Sequence, residues 1–133
     1  MILYNGESLA YVGDAIYELK IREHILKKGY QDVNILHKFA VKFTSGESQA
    51  LIVDYLIKIE VLTEEEISYF KRGRNSSHSK NRRSISVISY KKATGFEAMI
   101  GYLYLSNQIE RLNFLLELVI NIVEEGNIWQ ENK

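Results

Sequence analysis

The stretch Leu9-Ala10-Tyr11-Val12-Gly13-Asp14-Ala15-Ile16-Tyr17-Glu18 sets an aspartate beside a glycine inside a run that otherwise reads as a buried helix. Leu9, Val12, Ile16 and Leu19 recur at helical spacing and predict one apolar stripe. Asp14 falls off that stripe, one turn from Ala10 and two from Glu7, because residues four and seven apart share a helix face. Gly13 costs about 1 kcal/mol relative to alanine in a helix interior, so its missing side chain has a use. Close approach of another backbone, or of a ligand, is the expected one. An aspartate in this setting also fits the solvated face of a helix. A second stretch, Thr94-Gly95-Phe96-Glu97-Ala98-Met99-Ile100-Gly101-Tyr102-Leu103, repeats the character: one carboxylate among small, aromatic and aliphatic residues.

Around these two stretches the chain is 133 residues long, the size of one domain with a real core. An apolar fraction of 46% fits a folded globule and argues against a disordered chain. No apolar run approaches the roughly 20 residues needed to span a bilayer, so no membrane association is expected. The N-terminus lacks the basic region and long apolar core of a signal peptide. Without cysteine there is no disulfide framework, no thiolate zinc site and no thiol nucleophile, and a cytoplasmic location is expected. The absence of proline favours long uninterrupted helices.

Acidic and basic residues balance at 17 each, but unevenly along the chain. Between Lys71 and Lys92 stand eight Lys or Arg and no acidic residue, leaving nine basic against all 17 acidic residues elsewhere, a balance of −8. A basic block on an otherwise acidic protein attracts a polyanion to one face. The same block also fits a solvated loop.

The periodicity predicts an all-α fold. A first helix runs from near Glu7 to Lys28, ended by Gly29, with Lys27 and Lys28 where cations suit the helix dipole. Asp32 caps a second helix carrying Ile35, Leu36, Phe39 and Ala40. Ser45-Gly46 separates it from a third, apolar helix beginning at Glu47. Thr63-Glu64-Glu65-Glu66 reads as a capping box that opens a fourth. From Ser76 to about Ser89 the composition is that of a loop, with Ile85, Val87 and Ile88 suiting a short extended piece. Two further helices, from about Lys92 to Leu105 and from Gln108 to Glu125, complete a domain over residues 1–125. Residues 126–133 form a tail expected to fray.

Catalysis by a nucleophilic side chain finds little support. The serines lack a Gly-x-Ser-x-Gly setting, His24, His37 and His78 lack metal-ligand spacing, and the glycines form no phosphate loop. Carboxylates remain. Asp14 and Glu97 lie on separate predicted helices, and a hard cation such as Mg²⁺ accepts one or two carboxylates, with water and substrate phosphate completing its shell. Such an ion can activate water and steady charge developing on a phosphodiester. The basic block would supply phosphate contacts to a nucleic acid held there.

The residues from Leu9 to Ala15 resemble the signature helix of the ribonuclease III catalytic domain, and Phe96-Glu97-Ala98-Met99-Ile100-Gly101 is similar to that family's second signature. The similarity runs from about Leu9 to Glu124 and leaves no room for the usual double-stranded-RNA-binding domain. With His37-Lys38, Ser48-Gln49-Ala50 and Lys71-Arg72-Gly73-Arg74-Asn75, this resembles the compact Mini-III branch. The resemblance implies the ribonuclease III helical fold in a single domain, acting as a homodimer through the signature helix. The interface would include Leu9, Tyr11, Val12, Gly13, Ala15 and Ile16, with Gly13 and Ala10 keeping the helix slim for the partner. It further implies that Asp14 and Glu97 are catalytic metal ligands, that Glu7 is an outer ligand, and that one or two Mg²⁺ ions serve each site. Ala10 and Thr94 stand where the larger enzymes carry a glutamate and an aspartate, so a sparer site is implied.

RNA contacts would fall on Lys71, Arg72, Arg74, Asn75, Lys80, Arg82 and Arg83, and on His37 and Lys38. The implied activity is hydrolysis of double-stranded RNA to 5′-phosphate and 3′-hydroxyl ends, in maturation of the large-subunit (23S) ribosomal RNA precursor, with a ribosomal protein as a candidate for presenting it. Two rivals stand beside this reading: a non-cleaving RNA-binding protein of the same fold, and an all-α interaction module with a basic loop.

Overall fold

A computed structural model describes residues 4–76 and 86–129. They form six α-helices and a closing turn: α1 (Gly6–Lys27), α2 (Val33–Thr44), α3 (Gly46–Lys58), α4 (Glu64–Ser76), α5 (Val87–Leu105), α6 (Ile109–Glu124) and a 3-10 turn (Asn127–Trp129). No strand occurs among the described residues.

Local chemistry accounts for most of the helix starts. The side chains of Asn5, Asp32, Ser45 and Ser86 accept hydrogen bonds from backbone N–H groups in the first turns of α1, α2, α3 and α5. The capping box at α4 forms as its residues predict: the Glu66 amide donates to Thr63 Oγ1 at 3.1 Å, and the Thr63 amide donates to Glu66 Oε1 at 2.9 Å. Gly29, at φ 101°, ends the turn after α1 in a conformation that side chains disfavour.

Helix α5 is the centre of the fold. Every residue from Ala98 to Leu103 is buried, so no face of this segment meets water. A helix apolar on all sides has to be wrapped, and α1, α3, α4 and α6 all pack on it. The approach of α1 is close enough that a Cβ on Gly13 would run into the carbonyl of Glu97, and a Cβ on Gly101 into the carbonyl of Leu9. The two sequence signatures therefore meet backbone to backbone within one chain. Beside that contact Tyr17 and Phe96, both fully buried, pack edge to face with centroids 5.1 Å apart. Such a pair adds about 0.5–1.5 kcal/mol beyond its buried area. The Tyr17 hydroxyl donates to the carbonyl of Phe43 at 2.8 Å and so ties α1 to α2. Burial, then the charges of Glu18 and Glu97, push this phenol well above its usual range, which keeps it a donor.

Four expectations change. The inward face of α1 is Gly6, Leu9, Ala10, Gly13, Tyr17, Ile21 and Ile25, not the predicted stripe. Val12 and Ile16 are half-buried and Leu19 is exposed, because α5 takes the glycine-bearing face. Leu9 and Gly13 are consequently spent on the protomer's own core, which corrects their place at a protomer interface: Gly13 is slim for α5. Helix α5 begins at Val87, a full turn before Lys92, since Ser86 caps it; Val87 and Ile88 are exposed in its first turn rather than extended. Finally, the tail does not fray at once. Gly126, at φ 77°, turns the chain so that Ile128 is wholly buried. Residues 130–133 lie outside the described part.

The other end of the core is held by an ion pair. Glu66, 2% exposed, accepts from Arg111 Nε at 2.8 Å and Nη2 at 2.9 Å, while Nη2 also reaches the Val61 carbonyl at 2.7 Å. Burial alone would raise the Glu66 carboxyl, but the guanidinium and the Thr63 amide outweigh it and hold it below the usual carboxylate range. A carboxyl depressed on folding contributes stability above its unfolded value and loses it as pH falls through the folded one. Arg111→Met is therefore expected to cost about 3–5 kcal/mol at neutral pH, the typical result of orphaning a buried charge. Urea unfolding should show that deficit shrinking as Glu66 becomes protonated in acid.

Candidate functional site

The α1–α5 contact decides where the carboxylates stand. Asp14 follows Gly13, and the carbonyl that Gly13 faces is that of Glu97 itself, so the two acidic residues flank one backbone junction. Both line a cleft of about 530 Å³ between the N-terminal half of α1, the α2–α3 corner and the first turns of α5. Glu7 lines it too, so the structure gathers all three predicted acidic residues. Asp14 and Glu7 are exposed and Glu97 is half-buried. Ala10 and Thr94, the two departures from the larger enzymes' pattern, face the same cleft. The Thr94 hydroxyl donates to the Tyr90 carbonyl at 2.9 Å.

A fourth carboxylate, Glu47, was missed from sequence, as was Gln49. Both lie in the opening turns of α3, directly after the Ser45-Gly46 corner. The available signal was an acidic residue just inside a capped helix start, which ordinarily serves only the helix dipole. Among the described residues no group of three or more His, Cys, Asp or Glu side chains converges closely enough to hold a metal ion directly. The donor set still suits a hydrated cation. Two carboxylates supply charge, and Gln49 Oε1, buried and without a hydrogen-bond partner, supplies an acceptor awaiting a donor.

The expected RNA contacts separate into groups. Arg72 lies over the Tyr69 ring, 4.6 Å from its centroid, and Nη1 donates to the Tyr4 carbonyl at 3.5 Å. Arg74 lies 5.5 Å from the Phe70 centroid and donates to Asn75 Oδ1 at 3.2 Å. Stacking holds both guanidiniums in place. Lys71 and Asn75 are exposed on the same last turns of α4, whose end abuts Gly6 at the start of α1, one residue from Glu7. Lys80, Arg82 and Arg83 lie outside the described residues. Lys92 is engaged elsewhere, 2.9 Å from Asp54 Oδ2. His37 and Lys38 are exposed on α2, and His37 lines a separate groove between α1 and α2. No helix among the described residues is long and apolar enough to cross a membrane.

Comparison with known proteins places the fold in a family. The profile of the ribonuclease III domain family matches residues 7–108. The chain is 43% identical over 122 residues to the Mini-ribonuclease 3 of Acholeplasma laidlawii (strain PG-8A), covering 92% of this chain and 96% of that one. It is 45% identical over 120 residues to the Mini-ribonuclease 3 of Clostridium tetani (strain Massachusetts / E88), covering 90% and 78%. A crystal structure of a Fusobacterium nucleatum protein superposes with a TM-score of 0.80 at 36% identity, over 90% of this chain and 93% of that one.

Since a backbone carbonyl cannot rotate away from an added methyl, Gly13→Ala is expected to destabilise the fold by about 3 kcal/mol, the upper end for overpacking. Glu23→Gln, at an exposed position of the same helix, should stay within about 0.5 kcal/mol of the parent. Urea unfolding of the two variants checks the difference.

Proposed function

The chain belongs to the ribonuclease III family, in its Mini-III branch, as an endoribonuclease of that type, and we propose from that premise that it hydrolyses double-stranded RNA with a bound divalent cation, Mg²⁺. The observation that carries this reading is that Asp14 and Glu97, each the one carboxylate of its signature, line a single cleft across the Gly13 junction. Asp14 and Glu97 would hold one or two ions, with Glu7 as an outer ligand. When bound, the cation supplies a water of lowered pKa and compensates charge on the phosphodiester. The products would be 5′-phosphate and 3′-hydroxyl ends.

The protein's own part is placement. Arg72 and Arg74, pinned on aromatic rings at the end of α4, stand beside the Glu7 turn and suit the phosphates of a duplex entering the cleft. Lys71 and Asn75 extend that edge, and Lys80, Arg82 and Arg83, which follow in sequence, would supply further phosphate contacts. His37 and Lys38 on α2 would meet the duplex away from the cleft. An A-form duplex hides its major-groove edges, so shape and phosphate dominate recognition. A structured precursor of the large-subunit (23S) ribosomal RNA, presented with or without a ribosomal protein, is the substrate implied by the Mini-III branch.

Two protomers would give one cutting centre per strand. Tyr11 is 83% exposed on α1, beside exposed Ala15 and half-buried Val12 and Ile16, a face the protomer itself covers only in part. That face supports a homodimer through the signature helix.

Asp14→Asn and Glu97→Gln are each expected to abolish Mg²⁺-dependent cleavage of an RNA duplex while keeping the parent's circular dichroism. Undiminished cleavage by either purified variant would refute the assignment. Tyr11→Ala should move the sedimentation profile toward the monomer at concentrations where the parent is dimeric, and an unchanged profile would take Tyr11 out of the interface.

A further inference from the structure

Gln49 carries an unfinished hydrogen-bond account. Its side chain is buried, at 2% exposed, on the wall of the acidic cleft. Nε2 donates to the Thr44 carbonyl at 3.2 Å. That bond fixes the amide's orientation, since only the NH₂ end can face a carbonyl oxygen. Oε1 is therefore the end left over, shut off from bulk water and without a partner. A buried acceptor in that state destabilises the fold, a cost that a methionine of similar bulk would avoid. The corner holding it is built rather than loose: Ser45 Oγ caps the Ser48 amide at 3.1 Å and donates to Ser48 Oγ at 2.9 Å.

The donor that completes Gln49 has to be small and has to arrive within the cleft. Thr94, across it, already spends its hydroxyl on the Tyr90 carbonyl. Mg²⁺ dehydrates reluctantly and keeps several waters, each a strong donor in need of an acceptor. Here Ala10 and Thr94 offer no carboxylate, so a cation held in this cleft would keep waters where the larger enzymes supply ligands. We propose that Gln49 Oε1, with the Glu47 carboxylate beside it, accepts hydrogen bonds from the water shell of a divalent cation held by Asp14 and Glu97. This makes the first turns of α3 the outer wall of the metal site and Gln49 a positioning residue that acts through water. It rests on the metal-dependent reading above and adds to it residues outside both signatures.

The test is Mn²⁺ binding to the full chain without RNA, by electron paramagnetic resonance, for the parent, Gln49→Met, Glu47→Gln and Asp14→Asn. Melting temperature in chelator is read alongside, together with the Mg²⁺ concentration for half-maximal cleavage. Partners of this kind change metal affinity about 10–100-fold, so Gln49→Met should raise the Mn²⁺ Kd at least about tenfold and shift the Mg²⁺ midpoint in step. Glu47→Gln, at an exposed position, should move both the same way by less, and it carries the test should Gln49→Met fail to fold. A lowered melting temperature in chelator with an unchanged Mn²⁺ Kd would make Gln49 structural and overturn the proposal. Loss of discrimination between ribose and 2′-deoxyribose duplexes with the Kd intact would assign Oε1 to a sugar hydroxyl, and equally overturn it. Parent and Asp14→Asn binding Mn²⁺ alike would instead sink the metal reading itself, a different failure from an unchanged Gln49→Met.

Discussion

The contact of α1 with α5 at Gly13 and Gly101 is the constraint from which the rest of the molecule follows. Two helix backbones can touch only where both lack a side chain, and here each glycine faces a carbonyl of the other helix. Tyr17 and Phe96 close over the same junction, and the buried phenol reaches on to the end of α2. Gly73 and Gly95 repeat the device where α4 meets α5, with Gly73 against Ala98 and Gly95 against Phe70. Small residues thus sit where helices meet and large ones fill the spaces between, the arrangement that close packing demands.

The proposed function rests on the same geometry. A carboxylate can be aimed to a fraction of a turn only from a rigid element, and Asp14 and Glu97 stand on the two helices that can move least against each other. The cleft they share is closed on its third side by the α2–α3 corner, where Ser45 both ends α2 and caps α3. Charge is sorted by position. Acidic residues gather in the cleft, while the basic end of α4, with Arg72 and Arg74 laid on aromatic rings, packs against Gly6 at the start of α1. A metal ion and a polyanion can then be drawn to one place without the two sets of charges cancelling.

Parts of this were legible from residues alone, for local reasons. Helix starts followed from Asp32 and the Thr63–Glu66 box, because a cap needs only a few neighbouring residues. Ser45-Gly46 was legible only as a break, and the Ser45 cap on α3 emerged from the structure. The glycine in the first signature signalled a close approach, since an unused glycine in a helix interior is a net cost. Its partner was misjudged: the expected neighbour was a second protomer, and the neighbour found is α5. Periodicity cannot separate a face covered by the same chain from one covered by another. The start of α5 was misjudged because Val87 and Ile88 favour extended backbone taken singly, whereas the Ser86 cap acts on the whole turn.

The sequence by itself determined an all-α chain and the family to which it belongs, and it singled out Asp14 and Glu97 as candidates, because each reading depends on residue type and short spacing. Only the tertiary structure decided which face of α1 turns inward, that Glu7, Asp14, Glu47 and Glu97 share one cleft, and that Gln49 keeps an unpaired oxygen on its wall. Those facts depend on crossings between helices far apart in the chain. A crossing is set by the summed shapes of both faces, and no stretch of one helix contains that information.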